Sequence, residues 1–108
     1  MKGNTFTHNH PGGGTFSIED IARAAQYKLE EIRAATADFR HAATGLDNVY
    51  HGAVRVAYDD SVSRLRTTVS ALVRSDAIHV ANFTAELQHR AWIRTAKKLG
   101  FTYWRERS

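Results

Sequence analysis

Cysteine is absent from the 108-residue chain. No disulfide framework can form, which disfavours a small secreted protein, and no zinc site can be built from thiolates. Any metal has to be held by histidine, aspartate or glutamate. Apolar runs are short. None approaches the roughly 18 consecutive residues that a membrane-spanning helix needs, and no apolar segment near the start has the form of a secretory signal. A soluble, cytoplasmic protein is therefore expected. Internal repeats, low-complexity tracts and linkers are also missing. With 43% hydrophobic and 24% charged residues, the composition is that of an ordinary folded domain. The length suits one domain over residues 1–108 with a partial core.

Fifteen Lys and Arg against eleven Asp and Glu give a net charge of +4. The excess gathers late, at Arg90, Arg94, Lys97, Lys98, Arg105 and Arg107. Such a cluster can face nucleic-acid phosphates. It is also what a helix C-terminus and a solvated helix face select.

Residues 3–8, rich in threonine with one aromatic, read as a short strand. Pro11 and the glycines at 12–14 end it, because proline lacks the amide donor and glycine tolerates most backbone angles. Ser17 then opens a helix, with Glu19 and Asp20 at its positive end. Ile21, Ala24, Ala25 and Leu29 carry its apolar face to about Glu30. Alternation across 31–43 suggests a hairpin or a bent strand, with continued helix as the competitor.

Tyr50, Ala53, Ala57, Leu65, Val69 and Leu72 form a helical stripe over 47–74. A straight helix of that length measures about 42 Å. It is expected either to break near Asp59-Asp60-Ser61 or to project and pack on another chain. Another helix, over 76–99, carries Val80, Phe83, Leu87, Ala91 and Ala96 and stops at Gly100. Phe101 to Trp104 then reads as a strand. The expected fold is α+β: a small sheet, two long helices in the majority, and a C-terminal strand.

The chemistry concentrates between Thr7 and Asp20. Histidines two apart on a strand share a face, so His8 and His10 can present imidazoles to one ion. Asp20, in the first turn of the next helix, would add an oxygen ligand. Two histidines and a carboxylate leave one position for a water, the open arrangement of a catalytic zinc. The competing reading takes Ser17 and Asp20 as a capping box that only satisfies helix-end amides.

Thr7-His8-Asn9-His10-Pro11, a glycine-rich spacer and Ser17-Ile18-Glu19-Asp20 resemble the zinc motif of the JAMM (JAB/MPN) metalloprotease superfamily. Similar segments occur in C-terminal domains of phage head-associated and toxin-like proteins. The resemblance implies Zn2+ held by His8, His10 and Asp20, Ser17 steadying an oxyanion, and cleavage of a peptide or isopeptide bond. The six residues between His10 and Ser17 make the spacer one residue shorter than the family's. The family's upstream general-base glutamate has no counterpart before His8. Glu19, Glu30 and Glu31 are the candidate substitutes, Glu19 being the catalytic choice. A chain without that base is expected to be a truncated or repurposed relative of a larger metal-binding domain.

Two further readings use other residues. In a metal-free, toxin-like ribonuclease, His8 or His10 would act as acid or base while Arg33 or Arg40 steadied the charge. In a non-catalytic phage-associated binding or inhibitor protein, the long helices would contact a protein partner or a second copy. His41, His51, His79 and His89 are expected at the surface or core edge. Trp92, Trp104, Tyr103 and Phe101 are expected mainly in the core, with base stacking as the alternative.

Overall fold

The computed structural model describes residues 5–9, as backbone, together with 16–35 and 39–107. Their order is β1 (Thr5–Asn9), α1 (Ile18–Gln26), β2 (Glu31–Ala35), β3 (Phe39–Thr44), α2 (His51–Arg74), α3 (Phe83–Leu99) and β4 (Thr102–Arg107), with 3-10 turns at Leu46–Asn48 and Val80–Asn82. The fold is α+β, as the sequence patterns predict. His10 and the proline-glycine segment lie outside the described residues.

The four strands lie in the order β1-β2-β3-β4. β1 runs parallel to β2, and the β2–β3 and β3–β4 pairs are antiparallel. A parallel pair needs a crossover, and α1 supplies it. Side chains alternate between the faces of a strand. Ile32, Ala34, His41, Ala43 and Tyr103 are buried on the face covered by helices. Arg33 and Trp104 flank the small Ala42 on the opposite face.

The core joins Phe16, Ile21, Ala24 and Ala25 to Ile32, Ala43, Leu46, Val54, Tyr58, Trp92, Phe101 and Tyr103. Trp92 lies at its centre, with its ring 4.1 Å from that of Tyr58 between centroids. Its indole N–H donates to the carbonyl of Phe16 at 2.8 Å. α2 and α3 meet through small residues, Ala57, Ser61, Ala91 and Thr95. The Ser61 and Thr95 hydroxyls return to their own helices at Ala57 O and Ala91 O. This hides two polar groups without leaving either unsatisfied.

α2 does not break at Asp59-Asp60. Its 24 residues extend about 36 Å, well beyond a six-residue strand. Asp60 stays solvated within the helix and draws Arg64, Arg94 and Lys98 toward it at 3.0, 3.5 and 4.0 Å. Asp60 thus links α2 to α3, and the acidic pair does not end a helix. Tyr50, assigned to the apolar stripe, is the residue before α2 and is 71% exposed. Val54, Tyr58 and Ser61 are buried in its place. The next helix begins at Phe83 rather than at residue 76, after a 3-10 turn capped by His79 Nδ1.

α1 stops at Gln26, short of the expected Glu30. Lys28 takes a left-handed φ of 56°, Leu29 N–H donates to Ala24 O, and Lys28 N–H to Ala25 O. This is a Schellman closure with lysine where glycine is preferred. α2 closes in the same way at Asp76, φ 62°, through Ala77 N–H to Leu72 O and Asp76 N–H to Val73 O. A Cβ in the left-handed region costs about 1–2 kcal/mol, and glycine gives back part of that relief in the unfolded chain. Lys28→Gly should accordingly stabilise the protein by about 0.5–1 kcal/mol. In urea unfolding, a higher midpoint at unchanged slope is expected, and an unchanged or lower midpoint contradicts the assignment.

Candidate metal centre at the strand ends

β1 and β2 reach their C-terminal ends together, beside the start of β3. His8 is the next-to-last residue of β1, and its backbone pairs with that of Ala34. Ala34 pairs in turn with His41, and His41 with Arg105. One row thus crosses the sheet through positions 8, 34, 41 and 105. The side chains of His8 and His10 lie outside the described residues, so the structure does not describe how the pair is arranged.

After β1 the chain returns to α1 through Phe16 and Ser17. Phe16 is fully buried, with its ring edge-on to His41 and to Tyr103, each at 6.3 Å. Ser17 is the N-cap. Its hydroxyl accepts from Asp20 N–H at 3.2 Å, and Asp20 Oδ2 accepts from Ser17 N–H at 3.1 Å. The capping box is therefore real. It fixes Asp20 in the first turn of α1 and engages one carboxylate oxygen, Oδ2. Because the serine oxygen accepts in this box, its own proton can still be donated to another group.

Glu19 is held elsewhere. Both of its oxygens accept from Arg55 on α2, at 2.7 and 2.8 Å. That hydrogen-bonded pairing draws its pKa below the ordinary glutamate value, which makes it a weak proton acceptor. Glu31 starts β2 opposite Thr5, at the far end of the sheet from position 8, and receives Arg33 at 2.6 Å. Glu30 precedes it. Arg40 pairs with Glu106 across the strands at 2.6 Å. Arg90, Arg94, Lys98 and Arg105 each have a carboxylate within 4.0 Å.

Sequence spacing missed the histidines that the fold brings together. His41 is buried at 3% exposure. Its Nδ1 lies 3.4 Å from the Tyr103 hydroxyl, which lies 2.9 Å from His89 Nδ1. Beside this chain Arg105 donates to Glu86 at 3.1 Å and stacks over Phe39 at 4.0 Å. Desolvation, followed by the charge of Arg105, pushes His89 down to about 4. The one available signal was the alternation Phe39-His41-Ala43, which puts His41 on the strand's apolar face. His89 and Tyr103, fourteen residues apart, meet only through tertiary packing.

Among the described residues, no group of three or more histidines and carboxylates is placed to hold an ion. No helix among them is long and apolar enough to cross a membrane. Comparison with protein-family models, curated proteins and solved structures finds no match for the chain.

The His89 shift gives stability a defined dependence on pH. Above the ordinary imidazole value near 6.5, the folded and unfolded states both hold His89 neutral. As pH falls from there toward 4, the unfolded chain takes up a proton that the folded chain refuses, so stability drops. Below about 4 that loss is complete. The thermal midpoint should fall across this window, and His89→Gln should flatten the fall. An equal slope in the variant would show that His89 does not report the buried chain.

Proposed function

We propose that this protein is a zinc-binding domain of the JAMM-like hydrolase type, or a degenerate phage-associated descendant of one. Its ligands are His8, His10 and Asp20, and its substrate class is a peptide or isopeptide bond. The observation that carries the reading is where the motif falls on the fold. His8 stands at the C-terminal end of a parallel strand, and Asp20 stands in the first turn of the crossover helix that follows it. In sheets with parallel strands, ligands are bound beside the carboxyl ends of strands and the N-termini of helices.

The groups present suit a hard or borderline cation: imidazole nitrogens and a carboxylate, with no thiolate. When bound, zinc supplies Lewis acidity and an acidified water. This chain's contribution is to anchor the carboxylate by the Ser17 cap and to offer the Ser17 proton toward a developing oxyanion. Loss of a general base typically costs about 10²–10⁴-fold in rate, and Glu19 is committed to Arg55. Slow or absent hydrolysis with intact metal binding is the expected behaviour. A cytoplasmic, phage-encoded setting belongs to the same proposal.

Metal analysis of untagged protein should find one zinc per chain, lost in His8→Ala and in His10→Ala. Protein that retains no zinc, and gains no thermal stability when zinc is added, would end this reading.

A second reading, a binding protein that uses its helices as an interface, is supported by the exposure of Val56 at 71%, Val80 at 68% and Ile93 at 47% on and beside α2 and α3. It calls for a dimer or higher assembly in light scattering that Val56→Asp together with Ile93→Asp dissolves. A monomer at all concentrations counts against self-association. The ribonuclease reading is less well supported, because Arg33 and Arg40 are each paired with a carboxylate.

A further inference from the structure

We propose that the outer edge of β4 is a docking site for an extended segment of a protein partner, one whose side chains alternate between apolar and acidic and which adds to the sheet as a further strand. This is independent of the zinc reading.

The edge itself comes first. β4 ends the strand order, and among the described residues no strand lies on its outer side. In an antiparallel pair, alternate residues direct their N–H and C=O groups to the neighbour, and the residues between them direct theirs away from it. β4 runs six residues, Thr102–Arg107, in unbroken register with β3 and without proline. Short length, proline and bulges are among the usual means of blunting an edge, and β4 has none of these. Backbone pairing at such an edge supplies affinity, and the side chains flanking it supply selectivity.

The two sides of the strand differ in chemistry. On the uncovered side Trp104 stands between Thr102 and Glu106 and is 39% exposed. Glu106 is matched there by Arg40 at 2.6 Å, so this side presents an indole beside a neutralised pair. On the helix side lie Arg105 and Arg107, both over the Phe39 ring, at 4.0 and 5.2 Å. Arg90 joins them from α3. Among the described residues Glu86 is the carboxylate that answers these guanidinium groups, at 3.1 Å from Arg105 and 3.7 Å from Arg90, and Arg107 forms no ion pair. A side chain on an added strand lies about 4.5–5.5 Å from its cross-strand neighbour. Acidic residues opposite Arg105 and Arg107 are therefore attracted, and apolar residues on the other side meet Trp104. Alternation of the two kinds follows from the period of a strand.

The same charges argue against a second copy as the occupant. Joined edge to edge about a two-fold axis, two chains would bring both sets of arginines to one side of the joined sheet, and like charges across a strand pair are destabilising. The net charge of +4 on each chain adds to that repulsion and draws an acidic partner in.

The test uses the full-length chain at pH 7 and two end-blocked, ten-residue peptides, one alternating valine with glutamate and the other valine with lysine. Amide exchange followed by 15N NMR should show alternate amides of β4 gaining protection as the valine–glutamate peptide is added, while the lysine peptide leaves them unchanged. Arg107→Glu should weaken binding about tenfold and Trp104→Ala about 2–5-fold, the scale of cross-strand pairs. Both side chains are exposed, so neither change enters the core. Absence of protection at millimolar valine–glutamate peptide, or equal binding of the two peptides, overturns the inference. Protection of β4 that rises with protein concentration alone, together with a dimer in light scattering, also overturns it, because the occupant is then a second copy.

Discussion

One buried hydrogen bond, from the Trp92 indole to the Phe16 carbonyl, fixes how the helices meet the sheet. A buried indole must place its N–H on an acceptor, and here the acceptor is the backbone carbonyl just before α1 begins. That one bond ties α3 to the start of α1 across seventy-six residues of sequence. Phe16 is buried as a consequence, and its ring becomes the wall that His41 and Tyr103 meet. The capping box at Ser17 follows directly on the residue that the indole pins. Without the indole, the start of α1 would be fixed by local propensity alone, which is weak for a nine-residue helix.

The long helices serve this arrangement as well as filling space. α2 and α3 approach through alanine, serine and threonine, and their close packing brings Trp92 and His89 down onto the sheet. α3 delivers His89 to Tyr103, and β4 returns Arg105 to Glu86 on the same helix. The covered face of the sheet therefore holds an unusual row for a small core, with histidine, tyrosine and arginine among alanines. Buried polar groups of this kind are costly unless joined to one another, and here they are joined. The sheet's other face, where Arg33 and Arg40 are each matched by an acidic neighbour, takes no part in the proposed site.

Much of the fold was legible in the sequence because it is written in periodicity. The alternation at 31–43, the long stripe before Arg74 and the aromatic run after Gly100 each became the element that their spacing implies. Helix ends were less legible. Gly100 marks the end of α3 openly, whereas α1 and α2 close on Lys28 and Asp76, residues that give no such signal. A break near Asp59-Asp60 is one of two expectations raised by the length of the 47–74 stripe, about 42 Å as a straight helix. The cations of α3 that neutralise Asp60 come from more than thirty residues away. In the site, Ser17 and Asp20 form the box that their spacing suggested. His41, His89 and Tyr103 were invisible as a group, since strand register and helix packing bring them together.

The proposed zinc reading requires one ion held by His8, His10 and the Asp20 carboxylate at the start of α1. X-ray absorption at the zinc edge of the zinc-loaded chain addresses it most directly. A nitrogen and oxygen shell at about 2.0–2.1 Å, with outer-shell scattering from two imidazole rings, is the expected result. A spectrum of oxygen ligands alone, without imidazole scattering, contradicts it.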